Sequence, residues 1–526
     1  CSEMGHTLRL LDLEADAVRG GSLAGAQLLV LGAGRTGEAV ARFAHAAGAL
    51  VTIHDSAASE KTQAIGAALS PLGIRAVFGE TAELAELFAQ ADLVVHSPSV
   101  TLGFPTVAPS VAGPLEAFAK AALALTGETG TPGKILISEP EWTSRLLGNR
   151  WRVGVTGTKG KTSTSALLAA ILATDPQHPV AFGGNNGAPL IERALEMPES
   201  VRVVLELSEL QLPTMYGAID VGVYTNVTAD HLDRHGSVES YRRVKQRLAG
   251  LINEAGTLIV NLDDPVTAAY AGEGRVATVT YRRDAPLPGG VGVVDGWIIA
   301  AGVQRAARYG GGAAATGPGG RIMPVGEIQM PGDHSISNVL AAVSAALVAG
   351  IAPDAIRKAV AGFKGVPHRL EPVGTIDGIQ FINDGQATQP DAVIAALNTF
   401  RKPLILLAGG RSKGADLRAL TAVVGERCSG AVLFGELADE LEQLFRSAGV
   451  TTIERAATID DAARCGLNLA RAAVGAKIDP GFGGEALATV LLSPIGSSYD
   501  MFNNPFGARG DAFRDAVKQM RSEVHA

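Results

Sequence analysis

Hydrophobic residues recur along the chain in short apolar runs that alternate with longer amphipathic stretches. The first block, AQLLVLGAGRTGEAVARFAHAAGALVTIHDS, reads as a strand, a glycine turn, an amphipathic helix and a second strand. A later strand, ADLVVHSPSV, fits the same sheet. Strands that alternate with helices are typical of parallel sheets covered by helices on both faces.

Two later blocks repeat this pattern. The second starts at NRWRVGVTGTKGKTS and continues through the strands VRVVLELSE and VGVYTNVT and the helix SVESYRRVKQRLAGLI. The third contains the strands IQFIND, KPLILLAGG, GAVLFG and ATVLLSPI, with helices between them. Because 526 residues are too many for one core, we predict an α/β protein of roughly two to four domains. Its binding sites are expected at the carboxyl ends of the parallel strands.

A segment rich in glycine and alanine, between about Arg283 and Arg321, departs from this pattern. Within it, VVDGWIIAAG predicts a hairpin. The remainder, which ends in GGGAAATGPGG, predicts a flexible surface loop. We interpret this part as an insertion that the surface tolerates.

Composition and charge narrow the class of protein. Hydrophobic residues make up 47% of the chain and charged residues 19%, as in an ordinary globular protein. A net charge of −8 argues against a nucleic-acid partner, and the apolar runs are too short for a membrane span. The three cysteines are far apart, and the opening CSEMGHTLRLLDLEAD has no apolar signal core. These features predict a cytoplasmic protein without a structural zinc site.

The glycine turn of the first block has the form G-x-G-x-x-G. It runs from Gly32 to Gly37, and Asp55 ends the next strand. Glycines at these positions allow a diphosphate to approach the N-terminus of the helix closely. Taken alone, the pattern favours a nicotinamide enzyme with Asp55 on a ribose hydroxyl, although such loops serve other nucleotide diphosphates. A glycine turn that only improves helix packing is the remaining alternative.

A second phosphate-binding signature, TGTKGKT, opens the second block. A strict Walker loop has a glycine where this chain has Val155. Gly157 and Gly160 nevertheless free the backbone amides, Lys161 supplies a point charge, and the Thr162 hydroxyl can ligate magnesium. A strand precedes the loop and an apolar helix follows it, as phosphate binding requires. The stretch therefore predicts a nucleotide-phosphate site.

Ionisable residues follow the strands downstream of this loop. Glu206 ends one strand, Asp230 and His231 follow the next, and Lys245 lies on a helix. Each has an ordinary explanation, because charges solvate loops and a lysine extends from many amphipathic helices. Together, at strand ends behind a phosphate loop, they favour a divalent-metal site.

With these motifs in place, the sequence resembles the Mur ligase family over nearly its whole length. The ordered motifs that carry the resemblance are GVTGTKGKTS, GGNNGAP, ELSELQL, NVTADHLDRHG, YRRVK, GDHSISN, GVPHRLE, INDGQAT, GGRSKGAD and LLSPIGSSYDMF with RGDAF. The resemblance implies three domains: a Rossmann-like UDP-sugar domain over 1–149, a central ATP-binding domain over 150–362 and a Rossmann-like amino-acid domain over 363–526. The last motif resembles the branch of the family that adds D-glutamate.

The resemblance also implies the reaction. By this resemblance, ATP and two magnesium ions activate the carboxylate of UDP-N-acetylmuramoyl-L-alanine as an acyl phosphate, and D-glutamate then attacks it. The product is a peptidoglycan precursor. The implied partners are these small molecules, with no nucleic acid and no membrane, and the implied state is a monomer.

The residues that match the family's sites fall into four groups. The resemblance implies that the first glycine loop binds a UDP-sugar rather than NAD. The residues implied for the UDP-sugar are Gly34, Arg35, Thr36, Gly37, Asp55, Ser56, Asn185 and Ser208. Those implied for ATP are Gly157, Thr158, Lys159, Gly160, Lys161, Thr162, Ser163, Asn338, Arg369 and Asp384. Those implied for magnesium are Thr162, Glu206, His231 and Lys245, with Lys161, His231 and Lys245 as catalytic residues. Those implied for the amino acid are Thr388, Lys413, Ser498 and Phe506.

Lys245 matches the lysine that is carbamylated in this family, a change that turns an ammonium group into an anion able to approach magnesium. Two departures concern the amino-acid site. Gln386 stands where the family has a lysine, and one residue is inserted between Phe502 and Phe506. A Mur-type ligase that adds L-glutamate or another amino acid is therefore the nearest alternative.

Other classes explain less of the sequence. A non-catalytic nucleotide-binding regulator would keep the glycine loops and lose the metal residues, which are all present here. A folylpolyglutamate synthase would share the central phosphate loop without needing the first block. A dehydrogenase would account for the first block alone.

Overall fold

The computed structural model describes residues 7–102, 107–122, 133–185, 189–273, 275–412, 416–475, 486–496, 498, 501 and 505–525. The chain forms two compact units. The first comprises Cys1–Val325 with Ser337–Val360, and the second comprises Gly326–Ile336 with Ala361–Ala526. The first unit contains two β-sheets and the second contains one.

The first sheet has five parallel strands in the order β3-β2-β1-β4-β5. Its strands are β1 Gln27–Leu31, β2 Leu50–Asp55, β3 Arg75–Phe78, β4 Leu93–His96 and β5 Ile135–Ser138. Its helices are α1 Ala15–Arg19, α2 Arg35–Ala46, α3 Glu60–Leu69, α4 Leu84–Gln90, α5 Pro109–Ala121 and α6 Glu139–Leu147. Leu28 and Val30 pack into one core while Leu29 and Leu31 pack into another, so β1 is buried on both faces. Strand order reverses between β1 and β4, which places the glycine turn after β1 at a switch point.

The second sheet has nine strands in the order β14-β13-β12-β11-β10-β9-β6-β8-β7. They are β6 Trp151–Thr156, β7 Val180–Gly184, β8 Arg202–Glu206, β9 Ile219–Tyr224, β10 Ile252–Asn261, β11 Ala277–Tyr281, β12 Val291–Val294, β13 Trp297–Ala300 and β14 Arg321–Pro324. The helices that follow along the chain are α7 Lys161–Leu172, α8 Leu232–His235, α9 Val238–Gly250, α10 Pro265–Tyr270, α11 Asp333–Val348 and α12 Pro353–Gly362. Strand β6 lies between β8 and β9, so the phosphate loop after it also occupies a switch point.

The hairpin predicted within the glycine-rich segment is confirmed, because β12 and β13 pair antiparallel. The prediction of a flexible loop for the remainder is wrong. The Tyr309 ring packs 4.5 Å from the Arg202 guanidinium and 5.2 Å from the Trp151 ring. Arg308 donates a hydrogen bond to the carbonyl of Asn149 at 2.6 Å. Composition misled the prediction, since two side chains suffice to anchor a segment that is otherwise small and polar.

The third sheet forms the core of the second unit, with six strands in the order β15-β16-β20-β17-β18-β19. They are β15 Glu371–Ile376, β16 Ile379–Asn383, β17 Leu404–Gly409, β18 Gly430–Phe434, β19 Ile453–Arg455 and β20 Ala488–Ile495. The helices are α13 Pro390–Thr399, α14 Arg418–Arg427, α15 Ala438–Ser447, α16 Ile459–Val474 and α17 Pro505–His525. The sheet is parallel except for β15, an antiparallel edge strand.

The predicted fold class is confirmed, since three largely parallel sheets draw their strands from the three sequence blocks in turn. The predicted domain boundaries after residues 149 and 362 stay a prediction. The apolar run at Val339–Val348 lies in α11 and is entirely buried, and its one polar side chain, Ser344, donates a hydrogen bond to the Leu340 carbonyl. In the part of the chain that the structure describes, no helix is long and apolar enough to cross a membrane.

Replacing Tyr309 tests the anchoring of the glycine-rich segment. We expect Tyr309→Ala to lower the free energy of unfolding of the first unit by about 2 kcal/mol, because the ring contacts are lost. Tyr309→Phe should lower it by about 1 kcal/mol, since only the hydrogen bond from Arg202 disappears. Hydrogen exchange measured by mass spectrometry should show faster exchange of β13 and β14 in Tyr309→Ala. Fast exchange of these strands already in the wild type would contradict the anchoring.

Candidate active site

The first glycine loop is held by the carboxylate of Asp55, which lies at the end of the neighbouring strand. Asp55, at the end of β2, accepts a hydrogen bond from the Ala33 amide at 2.7 Å and another from the Ala57 amide at 2.9 Å. A Cβ atom on Gly37 would overlap the carbonyl oxygen of Gly32, so this turn requires glycine. One oxygen of Asp55 therefore holds the glycine loop, and the other holds the turn that follows β2.

The other residues predicted for the UDP-sugar surround this turn. Gly34 caps the N-terminus of α2, where the first amides of the helix have no intrahelical partner. Arg35 and Ser56 are exposed and Thr36 is half-buried. Thr36 also lines a narrow cavity, of about 20 Å³, that continues to Gly184 of the second sheet. The two sheets of the first unit thus share one continuous lining next to the glycine turn.

The phosphate loop between β6 and α7 is fastened to the segment that follows β9. Asn226 accepts hydrogen bonds from the Thr158 amide at 2.7 Å and the Lys159 amide at 3.0 Å, and its side-chain amide donates to the Lys159 carbonyl at 2.9 Å. The Thr158 hydroxyl lies between the Thr228 backbone and the Tyr241 hydroxyl. The amides of Thr158 and Lys159 are therefore already paired. The first amides of α7 lack a partner within their own helix, and the N-terminus of this helix is where a phosphate is expected to bind.

Two glycines of the loop leave no space for a side chain. Gly157 has φ 153° and a Cβ atom there would overlap the Thr225 hydroxyl. Gly160 has φ 82°, in the left-handed region, and a Cβ atom there would overlap Asn338 Oδ1. The structure thereby places Asn338, predicted as an ATP contact from a distant motif, directly against the phosphate loop.

Lys161 and Thr162 open helix α7. The Lys161 ammonium donates to the carbonyls of Gly157 at 3.0 Å and Thr158 at 2.9 Å, so the side chain folds back over its own loop. The Thr162 side chain is buried and that of Ser163 is half-buried. A point charge held over the loop in this way is positioned to meet a phosphate group there.

Glu206 lies at the end of β8 and is 1% exposed. Its Oε1 accepts a hydrogen bond from the Asn185 side-chain amide at 3.1 Å, while its Oε2 is buried and has no hydrogen-bond partner among the residues that the structure describes. A buried carboxylate oxygen without a partner is costly unless a cation occupies the site. Oxygen donors are also what magnesium prefers. Glu206 and Thr162 therefore fit a magnesium ion.

His231 lies in the left-handed region, with φ 49°, just before the short helix α8. Its Nε2 is 3.8 Å from a carboxylate oxygen of Glu209 and 3.8 Å from one of Asp230. Glu209 in turn accepts a hydrogen bond from Arg234 at 2.8 Å. Burial alone would raise the pKa of Glu209, but Lys245 and His231 outweigh it and the net shift is downward.

Lys245 is completely buried on the inner face of α9. Its ammonium donates to the Thr156 hydroxyl at 3.3 Å and lies 5.5 Å from the Tyr241 ring centre. Burial, followed by the positive charge of Lys161, lowers the pKa of Lys245 to about 7. A substantial fraction of the amine, about half, is therefore uncharged near neutral pH.

The predicted metal residues share one electrostatic neighbourhood. The charges of Glu206 and Lys161 both act on Lys245. Within the described ranges, no three histidine, cysteine or carboxylate side chains converge as a metal site. A magnesium ion here would therefore also need oxygen ligands of other kinds, such as the Thr162 hydroxyl.

Ser208 is buried just past β8 and is held by a side chain that the sequence analysis did not select. Its amide and its hydroxyl both donate to Gln211 Oε1, at 2.9 and 3.1 Å. Gln211 also lines the narrow cavity that contains Thr36. Ser208 and Thr36 were predicted for the same ligand from motifs that are far apart in sequence. Through Gln211, the structure brings them into one region of the first unit.

In the second unit, Asp384 ends β16 and is buried. It accepts hydrogen bonds from the Leu370 amide at 3.2 Å and the Ser493 hydroxyl at 3.0 Å. Burial raises the pKa of Asp384 to about 7, against the opposing effect of these bonds and of Arg369. The structure thus brings Arg369 and Asp384 together, as the sequence analysis predicted for two ATP contacts.

The amino-acid residues are only partly described. Thr388 lies half-buried after β16 and Ser498 is 6% exposed after β20. Phe506 lies at the start of α17, and Lys413 lies outside the described residues. The backbone near Thr388 is set by the Gln386 amide, which donates to the His368 carbonyl at 3.1 Å.

Four residues with evident roles were missed by sequence reasoning, namely Glu139, Glu209, Gln211 and Ser493. Burial raises the pKa of Glu139 to about 7, and its carboxyl lines the cavity beside Thr36. Glu209 and Gln211 lie in the quoted motif ELSELQL, where two polar residues after a strand end were the available signal. Ser493 also lies in a quoted motif, LLSPIGSSYDMF, but a serine inside an apolar strand reads as core.

The first unit has two phosphate-binding turns, each at a switch point of its sheet. Beside one of them lie a buried lysine and a carboxylate with one unpartnered oxygen among the described residues. These features define a nucleotide-dependent α/β enzyme site. Residues 26–116 match the MurD-like N-terminal domain of Mur ligases, 155–346 match the Mur ligase middle domain, and 368–475 match the Mur ligase glutamate ligase domain. The chain belongs to the Mur ligase family.

Curated relatives are similar over almost the full length. The UDP-N-acetylmuramoylalanine–D-glutamate ligase of Symbiobacterium thermophilum is 35% identical over 93% of this chain and 97% of its own. That of Gloeobacter violaceus is 34% identical over 94% of this chain and 100% of its own. Among solved structures, UDP-N-acetylmuramate-alanine ligase MurC of Thermotoga maritima is 17% identical, with a TM-score of 0.54 over 94% of this chain and 99% of its own. This last likeness concerns the fold.

Substitution of Gly160 tests the phosphate loop. We expect Gly160→Ala to lower the free energy of unfolding by about 1–3 kcal/mol and to weaken ATP binding sharply, because the left-handed backbone and the contact with Asn338 both oppose a Cβ atom. Gly113→Ala, in α5 where a Cβ atom meets nothing within 4 Å, is the matched control and should leave ATP binding unchanged. Calorimetric titration with ATP measures both, and equal affinities would contradict the assignment.

The raised pKa of Asp384 predicts a pH dependence of stability. Between pH 3.8 and about 7 the folded unit keeps a proton that the unfolded chain releases. The free energy of unfolding therefore falls as the pH rises through this interval and is level above it. We expect Asp384→Asn to remove this slope and the exposed control Asp515→Asn to keep it. Hydrogen exchange of β16 and β20 across the pH range measures both, and a slope unchanged in Asp384→Asn would refute the prediction.

Proposed function

We propose that this protein is an ATP-dependent ligase that joins D-glutamate to the alanyl carboxylate of UDP-N-acetylmuramoyl-L-alanine, in the synthesis of a peptidoglycan precursor. The observation that carries the proposal is the 35% identity, over 93% of the chain, to a curated ligase of that name. The geometry agrees with the chemistry, because a phosphate loop, a buried lysine and an unpartnered carboxylate lie in one unit.

The reaction proceeds in two steps. An alanyl carboxylate oxygen attacks the γ-phosphorus of ATP, the bond to ADP breaks, and an acyl phosphate forms. The amine of glutamate then attacks the acyl carbon, loses a proton, and phosphate leaves with the bonding electron pair. Lys161 and the amides at the start of α7 offset the charge that gathers on the transferred group.

Magnesium would be held by Thr162, Glu206, His231 and a modified Lys245, as one or two ions, and would supply positive charge where two anions meet. The buried Oε2 of Glu206, which has no hydrogen-bond partner in the described part of the chain, would be one of the oxygen ligands. Asn185, which fixes the other oxygen of this carboxylate at 3.1 Å, orients it.

Lys245 is carbamylated in the working enzyme. Carbon dioxide reacts with an uncharged amine, and Lys245 is buried with a pKa of about 7. The resulting carbamate would replace one positive charge, next to Lys161, with a negative one. That change removes the repulsion between two neighbouring lysines and completes an oxygen-donor set.

The remaining assignments complete the proposal. The UDP-sugar binds at Gly34, Arg35, Thr36, Gly37, Asp55, Ser56, Asn185 and Ser208. ATP binds at Gly157, Thr158, Lys159, Gly160, Lys161, Thr162, Ser163, Asn338, Arg369 and Asp384. Glutamate binds at Thr388, Lys413, Ser498 and Phe506. The domains run 1–149, 150–362 and 363–526, and the protein acts as a cytoplasmic monomer on small molecules, where ATP and its UDP-linked substrate are available.

One observation favours a second candidate. Gln386 is neutral where Mur ligases of this branch have a lysine, and it lies two residues before Thr388. A changed charge at the amino-acid site would alter which amino acid is accepted. L-glutamate is the second candidate for that reason.

Phosphate release tests the function. With ATP, magnesium and UDP-N-acetylmuramoyl-L-alanine, we expect release of phosphate on addition of D-glutamate and none with L-glutamate. Lys161→Ala should lower the rate about a hundredfold or more, because the charge that meets the transferred phosphate is lost. Lys120→Ala, on the surface of α5, should leave it unchanged. Phosphate release with L-glutamate alone would support the second candidate, and no release with either amino acid would reject the proposed reaction.

Carbamylation has its own readout. In ¹³C-labelled bicarbonate, the wild-type protein should show a carbamate carbon resonance that Lys245→Ala lacks and that Lys120→Ala retains. The reason is that Lys245, buried beside a second lysine, has the lowered pKa. A resonance that persists in Lys245→Ala, or that is missing from the wild type, would show that Lys245 is not the modified residue.

A further inference from the structure

A second concave site lies on the outer face of α9, separate from the phosphate loop. It is a cavity of about 460 Å³ between α9, the loop before β9, strand β10 and the start of β11. Three arginines, Arg243, Arg247 and Arg275, line it, together with Tyr216 and an apolar floor that includes Leu258. We call it the arginine cavity. Its volume is within the range of small-molecule sites.

The charge of the arginine cavity is not balanced by its own lining. No aspartate or glutamate is among the described residues that line it. Elsewhere on the surface arginines pair with carboxylates, as Arg455 does with Glu442 and Arg464 with Glu523. In a chain of net charge −8, three unbalanced guanidinium groups around one cavity form a local positive field.

Part of the arginine cavity is already rigid. Arg247 donates hydrogen bonds to the carbonyls of Leu212 and Met215, both at 2.8 Å, and its guanidinium lies 5.3 Å from the Tyr216 ring centre. These contacts fix its direction but bring no negative charge. Arg243 lies one turn earlier on the same face of α9, so the two side chains reach the same space.

We propose that the arginine cavity binds a phosphate-bearing small molecule, either an inorganic diphosphate or a nucleotide. Guanidinium groups match phosphate oxygens in pairs of hydrogen bonds, and three of them suit a ligand with more than one negative charge. Tyr216, 43% exposed, offers a ring face on which a base can stack. The site is distinct from the proposed ligase site and does not depend on that function.

Calorimetric titration with pyrophosphate and, separately, with ADP tests this site. The full chain carries Lys161→Ala in every sample, which weakens binding at the phosphate loop equally throughout. We expect Arg243→Gln and Arg275→Gln each to weaken pyrophosphate binding about tenfold or more, since each removes charged hydrogen bonds. Arg242→Gln makes the same change one position away, outside the cavity lining, and should leave the affinity as it was.

The same experiment distinguishes an inorganic diphosphate from a nucleotide as the ligand of the arginine cavity. Tighter binding of ADP than of pyrophosphate, with the difference removed by Tyr216→Ala, identifies a nucleotide, and equal affinities identify an inorganic ligand. Arg243→Lys should recover part of the affinity lost in Arg243→Gln, which a merely unfolded variant would not show. Equal affinities of Arg242→Gln and Arg243→Gln, or no pyrophosphate binding at all, would overturn the proposal.

Discussion

Hydrogen bonds between the phosphate loop and the segment after β9 fix the part of the structure on which the site depends. Asn226 alone pairs with the amides of Thr158 and Lys159, and no ligand is needed to hold the loop. Since these amides are paired, an anion is expected at the start of α7, where the first amides lack an intrahelical partner and the helix dipole favours negative charge. The conformations of Gly157 and Gly160 follow from the same close packing.

Buried charge beneath the loop is the second constraint. Lys161 and Lys245 repel each other, and Glu206 and Glu209 compensate only in part, which is why the pKa of Lys245 falls to about 7. The protein keeps this arrangement although apolar residues would pack more easily. A site that receives a polyanion and a divalent cation needs charged groups that are not fully compensated inside the protein. The Glu206 oxygen that has no partner among the described residues is one such group.

Sequence patterns predicted regular elements well where periodicity was strong and poorly where single side chains decided. Apolar runs and turns predicted the β12–β13 hairpin and the strands β1, β2, β4, β6, β8, β9, β16, β17, β18 and β20, while shorter strands such as β3, β7 and β19 were not predicted. The edge strand β15, with the mixed sequence EPVGTI, has no such run and was missed. The glycine-rich segment was mistaken for a flexible loop, because the packing of Tyr309 on Arg202 joins residues 107 positions apart.

The sequence by itself determined the α/β class, the two phosphate-binding turns and the identity of the residues that could meet a nucleotide or a metal. These depend on local spacing, which glycine turns and strand ends make readable. Only the tertiary structure decided which of them meet: Asn338 against Gly160, Lys245 beside Thr156, and Glu209 between His231 and Arg234. Burial and pairing depend on contacts between distant segments, so the shifted pKa of Lys245, the open oxygen of Glu206 and the arginine cavity arise from the fold.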